Sequence, residues 1–477
     1  MVLDFILAST VFVRYDNTIG GVQMVDLAVG WIPIEGLRAQ YLLGVDGLSA
    51  PLVLLTGLLG MAAALASWRV AHRTREYFIW LLVLQTAVMG VFTALDFLLF
   101  VVFWEAEIVP MYFLIATWGT GRPRYAAMKF VVFTIAGGAF LIVGVLGLFL
   151  SPEINTFAMV SIPEAGIVGI TEKMVGAQLI APAGLLFGFL FTAFAVKLPL
   201  WPLHSWLPDA HTDAPTAVSV MLAGVLLKMG GYGMLRVGIG MFQKTSGFQV
   251  GDVAWLLALL GTVSVLYGAF VTIRQTDLKR LVAFSSVSHM GYVVLGLSSI
   301  VGVNGTVSDG ALTGSALQLF THGTISGLAF LMVGLTYDRV HTRHIPHLGG
   351  LALKMPVIAT FFLIAGLGSL GLPGFSGFVA EIMVFLGTFE VWALATSLAA
   401  FGIVVSAGYV LWMFQRTFFG PGPSAHGLPK AKFEKLVDAS AADLVPVFVL
   451  TIPIVVIGLY PSFITDVFST GIREMLS

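Results

Sequence analysis

The chain has 477 residues, of which 58% are hydrophobic and 10% charged, and its formal net charge is −1. A soluble domain carries about 25% charged residues, so this composition, with apolar runs of about 20 residues recurring from end to end, describes a polytopic bundle of transmembrane helices. With no basic tail and no aromatic–basic surface, nucleic acid is not expected as a partner, and the absence of cysteine excludes disulfides and thiolate-held iron–sulfur clusters and disfavours zinc.

Met1–Val13 is apolar but contains Asp4 and is too short to cross a hydrocarbon core of roughly 30 Å. It lacks a basic start and a small-residue cleavage site, so it reads as a partial or tilted span and not as a signal peptide. Residues 15–47, with Gly20-Gly21 and Pro33, suggest an external hairpin or loop. Full spans are expected near 48–68, 77–94, 96–118, 127–150, 179–200, 216–237, 253–273, 281–301, 312–335, 355–390, 393–415 and 445–463. That makes twelve, and the N-terminal stub is a thirteenth piece. Residues 420–443 read as a Gly/Pro-rich linker and a short polar helix.

Lysine and arginine set the orientation. Alternate loops hold 16 of the 24, in the groups Arg69–Arg75, Arg122–Lys129, Arg274–Arg280, Arg339–Lys354 and Arg416–Lys435. The opposite side has Arg14, Arg38, Lys173, Arg236, Lys244 and Arg473, so the first set is cytoplasmic.

Spans 77–237 and 253–416 each comprise five helices, and an odd number per unit makes the second run opposite to the first. The expected division is therefore residues 1–47 (stub and hairpin), 48–76 (a peripheral span), the two repeats 77–237 and 253–416, and a C-terminal linker and span at 417–477. The fourth helix of each repeat is broken, at Leu198-Pro199-Leu200-Trp201-Pro202 and at Gly371-Leu372-Pro373-Gly374. Proline removes a backbone donor, and paired broken helices in matching places point to an ion path.

Four ionisable residues sit inside apolar spans: Glu105, Lys197, Lys228 and Glu381. A lone charge at the centre of a membrane helix costs roughly 2.5–3.5 kcal/mol on insertion scales, and such residues ordinarily serve transport. The simplest arrangement is a buried Glu105–Lys197 pair, in which a lysine poised between burial and an acid releases a proton when its partner moves. Glu107, two residues on, points about 200° away on a helix, either toward a neighbouring subunit or as an acid at a polar edge. Lys228 reads as an intermediate station, or as a lysine bonded to carbonyls freed near Pro199. Glu381 occupies in the second repeat roughly the place of Lys197 in the first. With His322, these residues predict a hydrated file Lys197–Lys228–His322–Glu381 at mid-membrane. His289 reads either as a further relay residue or, among Ser285, Ser286 and Ser288, as a polar patch on a cytoplasmic access route. His204, Asp209, His211 and Asp213 fit either an access route or the capping of the following span. His341, His344 and His347 lack the acids or cysteines of a metal site, so no metal ligands are expected.

The stretch Phe194-Ala195-Val196-Lys197-Leu198-Pro199-Leu200-Trp201-Pro202-Leu203-His204-Ser205-Trp206-Leu207-Pro208-Asp209-Ala210-His211, with Ala214-Pro215-Thr216 and Leu222–Lys228, resembles the antiporter-like subunits of respiratory complex I. Phe103-Trp104-Glu105, Thr276–Arg280, Ser285–Gly291 and Leu372-Pro373-Gly374-Phe375 add to the resemblance, which covers residues 45 to about 465. Glu381, where sister subunits carry lysine, places it nearest the subunit M (chain 4) branch. The resemblance implies fourteen helices, about one and a half of them lacking at the N-terminal side of this chain. It also implies a Glu105–Lys197 coupling pair, Lys228 as central relay and Glu381 as terminal proton site. The implied activity is proton pumping coupled to quinone reduction elsewhere in a complex, in the bacterial cytoplasmic or another energy-transducing membrane. The partners would be other antiporter-like and membrane-arm subunits and the lipid bilayer. This chain would hold no cofactor, and NAD or ferredoxin, FMN, iron–sulfur clusters and quinone would belong to other subunits. A multi-subunit Na+/H+ antiporter or a membrane-bound hydrogenase is the alternative.

Overall fold

In the computed structural model the chain is described except for residues 29–30, 33–35, 37, 303–306 and 420–428. Pro33 and the Gly/Pro-rich start of the expected linker lie outside the described residues. The elements are α1 (Val2–Arg14), a hairpin of β1 (Gln23–Ala28) and β2 (Tyr41–Val45), α2 (Ala50–Ala66), α3 (Thr74–Thr93), α4 (Phe97–Ala106), α5 (Ile108–Trp118), α6 (Pro123–Phe149), α7 (Ile170–Lys173), α8 (Ala183–Lys197) and α9 (Trp206–Asp213). They continue with α10 (Thr216–Phe242), α11 (Ala254–Ile273), α12 (Leu278–Leu297), α13 (Asp309–Val340), α14 (Pro356–Ser369), α15 (Ser376–Phe389), α16 (Ala393–Phe414), α17 (Lys430–Phe433), α18 (Ala441–Leu459) and α19 (Ser462–Leu476). Among the described residues, nine helical stretches are long and apolar enough to cross a bilayer, α4 and α5 counting as one. The shorter α2 and the two interrupted spans, α8/α9 and α14/α15, complete the twelve read from the sequence.

Burial sorts these helices. Along α10, α12 and most of α13, side chains are enclosed all round, as expected for helices that are apolar on every face and lie at the centre of a bundle. Other helices present one face outward: α6 exposes Val132 and Ile135, and α16 exposes Phe401 and Val404. The stub α1 lies against α2, where Gly57 lets Ala8 and Phe5 approach closely. Its Asp4 is satisfied by the Gln85 amide of α3, which explains an acid in an otherwise apolar segment.

Two spans are interrupted, α8/α9 and α14/α15. At the first interruption the freed backbone groups find partners. Trp201 N donates to Ser264 Oγ (3.0 Å) and the Trp206 indole donates to the Val196 carbonyl (2.9 Å). At the second, Gly371 (φ +70°) and Gly374 (φ +97°) adopt the left-handed conformation in the break between α14 and α15. Helix α10 carries two π-helical segments, Leu222–Leu226 and Met234–Ile239, which flank Lys228. Such bulges leave main-chain carbonyls without a regular helical partner.

Candidate functional site

Two groups of buried ionisable side chains lie beside the helix breaks. In the first, Lys197 ends α8, and its ammonium forms an ion pair with the Glu107 carboxylate. Both are buried, at 2% and 0% exposure. The rings of Trp104 and Phe130 stand 5.5 and 5.6 Å from Lys197 Nζ, close enough for their π-faces to favour the cation.

The expected Glu105–Lys197 contact is not formed. Glu105 turns toward α6, where its carboxylate abuts Gly138, and its Oε1 is buried without a hydrogen-bond partner among the described residues. It remains within electrostatic reach of Lys197. The physical reason is local. The span is not one regular helix but breaks at Glu107, between α4 and α5, so a face assignment built on a constant turn per residue fails there. Glu107, read from the sequence as lying on the wrong face, makes the contact.

The second group is a closely spaced series. Lys228 Nζ lies 2.8 Å from His322 Nδ1 on α13 and also donates to the Ala223 carbonyl, within the first π segment of its own helix. That carbonyl, and not one freed near Pro199, is the lysine's backbone partner. The rings of His322 and His289 are 5.5 Å apart. His289 Nδ1 is 3.3 Å from Glu381 Oε1, and its Nε2 is 3.0 Å from Ser369 Oγ. Glu381 Oε2 is buried without a partner, facing the Gly371 turn. A cavity of about 10 Å³ is lined by His289, Gln318, His322, Ser369 and Glu381, about the room one water needs.

Of the two readings of His289, relay residue or polar patch, the geometry favours the first. It lies between His322 and Glu381, as a relay residue would. The expected file is also divided: among the described residues no side-chain hydrogen bond or ion pair joins Lys197 to Lys228. Between α8 and α10, Gly230 packs on the backbone of Phe194 and Leu198. Ser369, which orients His289, was not singled out in the sequence, although it lies two residues before the Gly371 turn.

The residues after the first break fall into two roles. Asp209 takes Lys129 (2.7 Å) and Arg280 (3.3 Å), and Asp213 accepts from Arg122 N (3.2 Å), so both tie loops together at the basic end of the bundle. His211 differs: its ring is buried, stacks on Phe330 at 4.4 Å, and has neither nitrogen paired. His204 packs against Tyr267.

With this geometry established, residues 94–406 match the NADH:quinone oxidoreductase/Mrp antiporter transmembrane family. The chain belongs to that family. NAD(P)H-quinone oxidoreductase chain 4 of Gloeobacter violaceus is 38% identical over 98% of this chain and 85% of its own length. NADH-quinone oxidoreductase subunit M of Rhodobacter capsulatus is 37% identical over 100% of this chain and 88% of its own. The fold is also that of a chain in the structure of respiratory complex I from Thermus thermophilus with bound NADH, with a TM-score of 0.84, 28% identity, and coverage of 100% of this chain and 93% of that one. A chain of the Mrp complex from a Dietzia species shares the fold alone, at 18% identity and a TM-score of 0.79 over 99% of this chain and 90% of that one. Family membership and the long apolar helices make this an integral membrane protein.

Proposed function

We propose that this chain is a proton-translocating membrane-arm subunit of a quinone oxidoreductase complex, carrying no redox centre of its own. The observation that carries the reading is the buried series Lys228–His322–His289–Glu381, in contact at both ends and linked in the middle by two imidazoles that line one small cavity. Each member can hold or release a proton, and ionisable groups inside a membrane bundle ordinarily mark such a relay. A proton on Lys228 Nζ passes to His322 Nδ1, crosses between the imidazoles through the water-sized cavity, and reaches Glu381 from His289 Nδ1. Imidazole suits this task because it accepts on one ring nitrogen while donating from the other.

Lys197 and its acids supply the control. A charge change in a neighbouring subunit that draws Glu107 or Glu105 away leaves the Lys197 ammonium buried and uncompensated, which favours proton release. Quinone reduction elsewhere in the complex drives that change. NADH or ferredoxin oxidation, FMN, iron–sulfur clusters and quinone reside on partner subunits, and the membrane is the bacterial cytoplasmic or an equivalent energy-transducing one.

The test is Lys228→Ala and Glu381→Ala in the assembled complex in proteoliposomes. Both retain assembly and lose proton translocation; an unchanged proton-to-electron ratio in both overturns the assigned roles. A second reading, a subunit of a multi-subunit cation/proton antiporter or membrane-bound hydrogenase, is favoured by the likeness to the Mrp complex chain. The higher identity to quinone oxidoreductase subunits supports the first. Co-purification of iron–sulfur subunits supports the first reading and small antiporter subunits the second.

A further inference from the structure

The second repeat contains a cavity that the relay to Glu381 does not use. It measures about 30 Å³, and its polar wall is formed by Ser285, His322, Ser326, Ser369 and Tyr409, which gives room for about two waters. His322 and Ser369 line both this cavity and the smaller one beside Glu381. The rest of the lining is apolar and includes Leu281, Val282, Phe362 and Met413. Leu281 and Val282 lie in the first turns of α12, directly after the basic loop that holds Arg274, and Met413 lies at the matching end of α16. The cavity therefore sits between the histidine pair and the end of the bundle that the basic loops assign to the cytoplasm.

Tyr409 is the unusual member. It is 1% exposed, and among the described residues its hydroxyl has no partner at full hydrogen-bond geometry. The hydroxyls of Ser285, Ser369 and Ser406 lie near enough to act on it as hydrogen-bonding groups, yet none of them is placed at full hydrogen-bond geometry with it. A buried hydroxyl is normally paired, by protein or by ordered water, and the space in front of this one is polar and large enough for water. Simple ring packing would be served as well by phenylalanine.

We propose that Tyr409 is a proton-relay residue in a second branch, which loads His322 from the cytoplasmic side through this cavity, with the Leu281, Val282, Phe362 and Met413 collar as its gate. Rings of apolar side chains of this kind pass protons only when water wets them. In each transfer the phenolic O–H gives its proton to a water on the His322 side and takes one from a hydrated proton on the collar side, so the tyrosine ends unchanged. The branch rests on the proton-translocation reading above.

The test uses the intact complex in proteoliposomes, with proton release during quinone reduction followed by an entrapped pH-sensitive dye. Tyr409→Phe keeps the ring and removes only the unpaired oxygen, and Ser285→Leu fills the cavity. Both are expected to lower translocation about tenfold or more on the alkaline side, with recovery as the uptake side is acidified, because direct loading then replaces the relay. A merely structural defect would not show that pH dependence. Glu381→Gln serves as the control. If Tyr409→Phe and Ser285→Leu both pump as the parent while Glu381→Gln does not, the branch is wrong and the relay reading stands. If none of the three variants alters pumping, both fall. A loss that is independent of pH also overturns the branch.

Discussion

The ammonium of Lys197 meets the carboxylate of Glu107 at the point where α4 gives way to α5. An interrupted helix thus supplies the acid, and the residue just before a second interruption supplies the base. Irregular backbone at membrane depth persists only where protein or water satisfies it, and here it also frees both partners from the fixed geometry of a regular helix. A pair held in this way can separate without unfolding either span.

Removing one partner of a buried pair leaves the other uncompensated, at a cost of roughly 3–5 kcal/mol. Glu107→Gln is accordingly expected to lower the thermal unfolding temperature of the complex in detergent clearly more than Glu105→Gln, whose Oε1 has no hydrogen bond to lose. Equal shifts for the two variants would show that Lys197 is shared evenly between the two acids.

Lys228→Arg separates charge from proton transfer. Guanidinium remains protonated in proteins, so the positive charge beside His322 is kept while its release is blocked. Proton translocation in proteoliposomes is expected to fall on the order of a hundredfold, the scale typical of losing a positioned acid or base. Pumping near the parental rate would mean that Lys228 acts only as a fixed charge.

Gly371 has φ +70°, and a Cβ added there would lie 2.5 Å from Glu381 Oε2. Gly371→Ala combines a left-handed backbone, costing roughly 1–3 kcal/mol, with displacement of that carboxylate from His289. Reduced thermal stability together with reduced pumping is expected. Gly374→Ala, at φ +97° with open space beside it, should share the strain and leave Glu381 in place, so comparing the two variants isolates the contact.

Outside the spans, α19 is anchored by a hydrogen bond from Gly21 N to Glu474 Oε1 (2.5 Å). Burial first of all holds the Glu474 carboxyl above the usual carboxylate range, and the Gly21 hydrogen bond opposes it. The folded form therefore favours the protonated acid. The stability linked to it is greatest at low pH and is lost as pH rises from the ordinary carboxylate value through the raised one. Hydrogen exchange of residues 462–476 should quicken across that window, and Glu474→Gln should abolish the dependence. Protection that is flat with pH in the parent would remove the linkage.

The amino-acid sequence by itself determined the bundle. Twelve apolar runs, the placement of lysine and arginine in alternate loops, and the prolines and glycines at 198–202 and 371–374 are local properties, because hydrocarbon admits only helices of a given length and breaks follow residues that cannot sustain them. It also marked Lys197, Lys228, His322 and Glu381, since an ionisable residue in an uncharged run stands out without any partner in view. Pairing was decided only in three dimensions. Glu107 over Glu105 depended on a helix that changes phase at one residue, which periodicity takes to be constant. His289 as the bridge from His322 to Glu381 depended on α12, α13 and α15 converging, and nothing near His289 in the chain encodes that. The gap between Lys197 and Lys228 has the same origin: a side chain's chemistry is written in the sequence, but the distance to its partner is set by how separate helices pack.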